Sequence, residues 1–231
     1  MDCIYYLVNI YFFKVIYLHT SLLGGWDSSQ IMVFVGTYLL IDAINMTVFS
    51  SNLWWLPYYI NRGDLDYYLI RPVSPLFFLT LREFSANSFM NLLIAASFFV
   101  YAVTQLPGTH SPGEFLSFLL LIINGAVLHA CLQLLTILPV FWTHSARGFV
   151  DLFYTLGLAM ERPHRIYTGF MRIVFTTILP FSLVASFPAQ LFLEGPKAET
   201  LVHLTLVSVS FWFIVSAFWK LGLKSYASAS S

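Results

Sequence analysis

The chain has 231 residues and carries eleven acidic and eleven basic side chains, so its formal net charge is zero. Hydrophobic residues make up 58% of the sequence and charged residues only 10%. Its apolar runs extend over about 20 residues, which excludes both a soluble protein and an outer-membrane barrel of short, alternating strands.

Five apolar runs predict membrane-spanning helices. In chain order they lie near residues 3–23, 31–52, 84–106, 115–142 and 201–219. A helix needs about 20 such residues to cross roughly 30 Å of hydrocarbon. The first run starts almost at Met1, without a basic segment before it or a small-residue cleavage site after it. We therefore expect it to be retained as a span and not removed as a signal peptide.

The region between residues 143 and 195 allows two interpretations. If 171–193 is the fifth span, nearly all basic residues lie on one side, as the positive-inside rule favours. If 145–161 crosses instead, 171–193 returns as a re-entrant hairpin broken by two prolines, and Arg162, Arg165 and Arg172 lie outside. Both interpretations give six spans and place both termini on the same side.

The loops that follow the first and third runs predict the orientation. The segments GGWDSSQ and LPGTHSPG contain neither lysine nor arginine, which is typical of external loops. The amino terminus and residues 61–75 are therefore predicted to be cytoplasmic.

Residues 61–75, NRGDLDYYLIRPVSP, form a polar stretch with helical features. Asn61 or Asp64 could cap a helix, and Pro72 would end it. Leu65, Tyr68 and Leu69 would share one face of that helix.

Two functions fit such a helix. It could rest on lipid headgroups, or it could dock into a soluble partner. In a docking helix, Gly63 would allow close approach of the backbone and Arg71 would bind a carboxylate.

Three segments resemble a known family. The spacing G-x-L-x-x-x-L-x-R-P-x-x-P is present as Gly63, Leu65, Leu69, Arg71, Pro72 and Pro75. It resembles the signature of bacterial ABC-transporter permeases of the type-2 exporter class, in the group of uncharacterised transport-system permeases. The turn GGWDSSQ and the run MRIVFTTILPFSLVASFPAQLFLEG resemble the corresponding segments of that family.

The resemblance implies an all-α fold in a single transmembrane domain over 1–231, in the bacterial cytoplasmic membrane. It implies six spans, a coupling helix between the second and third, and re-entrant helices before the last, which favours 145–161 as the fifth span. Family members usually have a longer amino-terminal segment with an amphipathic helix. The coupling helix would lie at about 61–72 and consist of Arg62, Gly63, Asp64, Leu65, Asp66, Tyr68, Leu69, Arg71 and Pro72.

The family also implies a separate ATPase subunit and a second permease, either an identical copy or a related chain. The sequence contains no G-x-x-x-x-G-K-[ST] motif, so ATP and magnesium would be bound by that partner. We find no catalytic motif and no metal-ligand spacing among the histidines and cysteines. No feature suggests nucleic acid as a partner.

Ionisable and polar residues within the spans are further candidates. Lys14 and Asp42 lie at similar predicted depth, roughly 15–18 Å from the outer surface at about 1.5 Å per residue. They could form an ion pair between adjacent helices, or line the substrate path. His129 and Gln133 share a face of the fourth span, where interhelical hydrogen bonding or substrate contact is expected. The arginines Arg162, Arg165 and Arg172 could bind an anionic substrate or lipid.

The preferred function is the membrane-spanning permease of an ATP-driven exporter, with no enzymatic activity of its own. One alternative is an ion-coupled secondary transporter in which Asp42 binds the ion. The other is a membrane scaffold that transports nothing.

Overall fold

The computed structural model describes residues 2–108, 111–145, 147–195 and 197–226. Within these ranges the regular structure is helical, and the prediction of an all-α fold is confirmed. The α-helices in these ranges are α1 (Asp2–Ile16), α2 (Ser28–Asn45), α3 (Ser51–Arg62), α4 (Asp66–Leu69), α5 (Pro75–Leu81), α6 (Phe89–Thr104), α7 (Pro112–Ile137), α8 (Val140–Thr143), α9 (Arg147–Gly157), α10 (Gly169–Ile173), α11 (Leu183–Glu194) and α12 (Ala198–Ser225).

Four helices in the described ranges are long and apolar enough to cross a membrane, against the six spans that were expected. They are Ser28–Arg62, Ala86–Thr104, Pro112–Thr143 and Ala198–Ser225. The first is α2 and α3 joined without interruption by a π-helical turn, Met46–Ser50. The helices α1 and α9, with 15 and 11 residues, fall short of a full span.

The bundle has two ends, which we name by residues that meet there. At the Trp26 end, Arg165 lies over the Trp26 ring and forms an ion pair with Glu194. At the Tyr68 end, Arg82 donates hydrogen bonds to Tyr59 and Tyr68.

The centre of the bundle is closely packed around α2. A Cβ atom on Gly125 of α7 would lie 2.6 Å from the carbonyl oxygen of Val184 and 2.7 Å from Ile41. A Cβ on Gly36 of α2 would lie 3.0 Å from the Cα of Phe99 on α6. Glycines therefore let two pairs of helix backbones approach closely, α7 with α11 and α2 with α6, as is common in membrane bundles.

The chain passes from one end of the bundle to the other between residues 144 and 165. Asn61 donates a hydrogen bond to the carbonyl of His144 at the Tyr68 end, whereas Arg165 lies at the Trp26 end. Helix α9 covers only part of this path, and the membrane crossing at 145–161 stays a prediction. Residue 146, within that predicted crossing, lies outside the described residues.

The segment after α9 is largely not α-helical, yet its backbone is bonded within the protein. Ser186 of α11 accepts a hydrogen bond from the backbone N–H of His164, and Ser182 donates one to the carbonyl of Ala159. Irregular backbone within a membrane bundle requires such internal partners.

The region predicted as a re-entrant hairpin, 171–193, contains two helices at an angle of 97°, Gly169–Ile178 and Leu183–Glu194, a bend that is common to broken spans and re-entrant loops. The second helix ends at Glu194, beside Arg165 at the Trp26 end. The bend approaches the centre of the bundle, because Val184 lies against Gly125.

The predicted single helix at 61–72 is interrupted. Gly63 ends α3 in a left-handed conformation with φ of +81°, and α4 is one turn long, Asp66–Leu69. Ser74 then caps α5, which begins with Pro75. A glycine C-cap and two prolines limit this stretch to short helices. The expected shared face is present nevertheless, since Leu65 and Tyr68 are buried and Leu69 is partly buried.

Candidate functional site

A cavity of about 350 Å³ lies between α1, α2, α7 and the segment around α9. Its polar lining residues are Tyr5, Tyr38, Asp42, Asn45, Ser50, His129, Gln133, Tyr154 and Glu161. The exposed lining residues Tyr5, Tyr154 and Leu158 lie on α1 and α9 or directly after α9, so the cavity opens between those two helices. Three of the predicted intramembrane polar residues thus line this cavity: Asp42, His129 and Gln133.

The long helix supplies one wall of the cavity. Tyr38, Asp42 and Asn45 are three or four residues apart and therefore share one helix face. The π-helical turn Met46–Ser50 follows, and Ser50 donates a hydrogen bond of 2.6 Å to Oδ1 of Asn45. Such turns often occur at functional sites, and here the turn keeps Ser50 on the same wall.

Tyrosine hydroxyls link the two carboxylates of the cavity to the helices around them. Tyr5 donates to Oε1 of Glu161 at 2.7 Å, and its hydroxyl lies 2.6 Å from that of Tyr38. Tyr6, on the buried side of α1, donates to Oδ2 of Asp42 at 3.2 Å. These bonds fix α1 against the entrance of the cavity.

Three buried side chains in the cavity wall have polar atoms without a hydrogen-bond partner. They are Nδ2 of Asn45, Nδ1 of His129 and Oε1 of Gln133. The three residues are 1%, 5% and 7% exposed. An unsatisfied buried polar atom costs about 1–3 kcal/mol, so three in one cavity indicate a site that a ligand or water completes.

The predicted ion pair between Lys14 and Asp42 does not form. Lys14 is exposed on α1 with its Nζ 5.7 Å from the centroid of the Tyr11 ring, whereas Asp42 is buried and receives the Tyr6 hydroxyl. Tyr6 lies beside Asp42 and Phe13 beside Phe34, so Lys14 lies roughly 12 Å from Asp42 along the helix axes, nearer the Trp26 end. The predicted depth is wrong because α1 ends at Ile16, whereas the prediction continued the first span to residue 23.

The predicted coupling residues form an exposed segment at the Tyr68 end. The guanidinium of Arg71 lies 4.7 Å from the ring centroids of both Tyr67 and Phe78. Its binding to a carboxylate of a partner stays a prediction. Arg62 lies 4.2 Å from the Tyr58 ring. Burial raises the pKa of the Tyr68 phenol, and the neighbouring Arg82 opposes that shift.

The predicted coupling segment also has exposed apolar side chains. Ile70 is 81% exposed, Tyr67 61% and Val73 48%. Asp64 and Pro72 are also exposed, Gly63, Asp66 and Leu69 are partly exposed, and Leu65 is fully buried. The segment therefore has a buried anchor and an exposed face, which we name the Ile70 face: Asp64, Tyr67, Ile70, Pro72 and Val73. Of these five residues, only Asp64 and Pro72 were among the predicted coupling residues.

The three predicted arginines contact different groups. Arg162 lies 4.1 Å from the Phe12 ring, Arg165 is paired with Glu194, and Arg172 is exposed on α10. Their role towards substrate or lipid stays a prediction.

Sequence reasoning missed Tyr5, Tyr38, Asn45, Ser50 and Glu161 as cavity residues. The spacing of Tyr38, Asp42 and Asn45 within an apolar run could have shown a polar face. Tyr5 and Glu161 come from distant parts of the chain, and no local pattern identifies them.

A comparison with protein families identifies the family of the chain. The family model described as ABC-2 family transporter protein matches residues 3–230, nearly the full length. No curated protein and no solved structure matches the chain at a significant level. Four apolar helices of sufficient length, together with this match, show a multi-pass membrane protein that belongs to the ABC-2 transporter family.

Proposed function

We propose that this chain is the permease subunit of an ATP-driven exporter and that the Ile70 face binds a separate ATPase. The observation that carries the proposal is the exposure of Ile70, Tyr67 and Val73 on an element held in place by buried Leu65 and Tyr68. A large apolar side chain that is 81% exposed on a short, supported helix is typical of a docking surface. The ATPase would supply the ATP and magnesium chemistry.

The long helix Ser28–Arg62 provides a mechanical route from this face to the cavity. It ends at Gly63, directly before the docking segment, and it carries Asp42, Asn45 and Ser50 on the cavity wall. Closure of two ATPase subunits on ATP would displace the Ile70 face and tilt this helix. The π-helical turn Met46–Ser50 lies between the two regions and is the place where such a helix would bend.

We further propose that 145–161 crosses the membrane and that 169–194 is re-entrant, which gives six crossings with both termini in the bacterial cytoplasm. Arg162 and Arg165 then lie towards the outer side. Exposed apolar side chains on α1, α6 and α12 would face lipid or a second permease, and we expect a dimer.

The test is recovery of the ATPase with tagged permease expressed from its own gene neighbourhood. Ile70→Asp is expected to reduce the recovered ATPase by about tenfold, because a buried charge at a docking centre costs well over 1.4 kcal/mol. The matched control is Leu18→Asp, since Leu18 is 78% exposed but lies near the Trp26 end. Equal recovery of the ATPase with both variants, or no ATPase with the wild type, would contradict the proposal.

One observation favours a second candidate, an ion-coupled transporter. Asp42 is a buried carboxylate within a cavity, as expected of an ion-binding group. The two functions predict different results when cells are depleted of ATP while a proton gradient is maintained. Export that continues would favour the ion-coupled transporter, and export that stops would favour the permease.

A further inference from the structure

We propose that the cavity binds an organic cation, in which an alkylammonium or quaternary ammonium group is attached to a small apolar body. This inference deepens the proposed function, because the bound molecule would be the cargo of the exporter. It is carried by the charge, the aromatic lining and the unsatisfied atoms of the cavity.

The charge of the lining is acidic. Asp42 and Glu161 both line the cavity, and the described lining residues include neither lysine nor arginine. Two carboxylates in one cavity attract a cationic ligand and repel an anionic one.

Aromatic rings surround the same space. Tyr5, Tyr38, Phe153 and Tyr154 line it, and Met46, Leu158 and Met160 complete the apolar surface. Aromatic rings around carboxylates form the type of site that binds quaternary ammonium groups, through the attraction of the cation to the ring face. The apolar remainder of the wall would contact the body of the ligand.

The unsatisfied atoms and the size argue for a molecule. A volume of about 350 Å³ is typical of a small-molecule pocket and too large for a single ion. Oε1 of Gln133 can accept a hydrogen bond from an ammonium N–H, and Nδ2 of Asn45 can donate one to an acceptor on the ligand. A purely apolar ligand would leave both atoms unsatisfied.

The experiment measures binding of radiolabelled benzyltrimethylammonium to the purified full chain in phosphatidylglycerol nanodiscs, with empty nanodiscs as blank. Neopentylbenzene, the neutral molecule of the same shape, serves as the competitor. We expect saturable binding of the radiolabelled probe. Displacing it should require at least about tenfold more neopentylbenzene than unlabelled benzyltrimethylammonium.

Variants then assign the binding to the cavity. Asp42→Asn and Glu161→Gln are each expected to weaken binding by about tenfold, and Tyr38→Leu by about fivefold. Asp151→Asn is the matched control, because Asp151 is an exposed carboxylate on α9 that does not line the cavity. A melting curve for each variant distinguishes lost binding from lost folding, and Glu161→Gln serves where Asp42→Asn does not fold.

Two sources of an ammonium group are separated by lipid composition. If phosphatidylcholine or phosphatidylethanolamine in the nanodisc displaces the probe, the site takes a lipid headgroup; if neither lipid does, it takes a soluble cation. Equal competition by neopentylbenzene, or unchanged binding in folded Asp42→Asn and Glu161→Gln, would overturn the proposal. Because the assay contains no ATPase, a failure here leaves the docking proposal intact, and a failure of docking leaves this result intact.

Discussion

The two sides of helix α2 differ sharply in how they meet their neighbours. Towards α6, α7 and α11, glycines bring backbones so close that a single methyl group would clash at Gly125. Towards α1 and α9, tyrosines and carboxylates leave a cavity of about 350 Å³ with unsatisfied polar atoms. The first side stabilises the bundle by contact, and the second retains space and polarity at the expense of stability, as expected of a binding site.

The largest expected effect is on the closely packed side. Gly125→Val places a side chain against the carbonyl of Val184, which is backbone and cannot rotate away. We expect the free energy of unfolding to fall by about 3 kcal/mol or more, because α11 must separate from α7. Thermal unfolding in detergent, followed by tryptophan fluorescence, measures the change.

The matched control for that change is Gly148→Val. Gly148 lies on α9, and a Cβ there meets no atom within 4 Å. Its melting temperature is expected to stay close to that of the wild type. A similar loss at both positions would show that the contrast between the two sides of the bundle is wrong.

A smaller effect is expected where α11 supports the irregular backbone after α9. Ser186→Ala removes the acceptor for the buried N–H of His164. An unpaired buried N–H costs about 1–3 kcal/mol, and we expect a loss in the lower part of that range if a water replaces the hydroxyl. Ser216→Ala is the control, since that exposed hydroxyl bonds only to its own helix at the Trp212 carbonyl. Chemical unfolding curves of the two variants compare them directly, and equal losses would contradict a bridging role.

The N-cap of helix α2 should contribute about 1 kcal/mol to the free energy of unfolding. Asp27 caps it by accepting hydrogen bonds from the backbone N–H groups of Ser29 and Gln30. Asp27→Ala is expected to lose that amount, and Asp27→Asn much less, because asparagine also caps helices well.

The cap also predicts a dependence on pH. Partial burial by itself raises the pKa of Asp27, but hydrogen bonds from Ser29 and Gln30 outweigh it, so the pKa lies below its ordinary value of 3.8. A lowered pKa in the folded state stabilises the protein above that value and ceases to do so as the carboxylate is protonated. The difference between wild type and Asp27→Ala should therefore narrow below pH 3.8. A difference that stays constant down to pH 3 would exclude a role for the charge.

The sequence predicts the closely packed side of the molecule better than the cavity side. Length and hydropathy identify α2, α6, α7 and α12, because each of these helices is a continuous apolar run. The same criteria overestimate the length of the first span. They also fail around α9, because the chain after this helix continues without regular helix. There the backbone depends on Ser182 and Ser186, which are more than 20 residues away.

The ion pair expected between Lys14 and Asp42 shows the other limit. The apolar run to residue 23 predicted one continuous helix, but α1 ends at Ile16, and Phe13 packs beside Phe34, so Lys14 lies near Phe34 and not near Asp42. Glu161 enters the cavity from a distant segment, since tertiary packing alone brings it to Tyr5. Of the cavity residues, only those that interrupt apolar helices could be found from local pattern.

The smallest effect on stability, with the clearest consequence for binding, is expected from Gln133→Leu. The side-chain oxygen of Gln133 is buried without a partner, so its removal takes away a desolvation cost and leaves the free energy of unfolding unchanged or raised by up to about 1 kcal/mol. Binding of a primary alkylammonium such as benzylammonium should weaken, because its N–H groups lose a hydrogen-bond acceptor. Gln190→Leu is the control: Gln190 donates to Glu194 at 3.2 Å outside the cavity, so that variant should lose stability and retain binding. If Gln133→Leu instead behaved as Gln190→Leu does, Gln133 would be a structural residue and the cavity side would not differ in kind from the packed side.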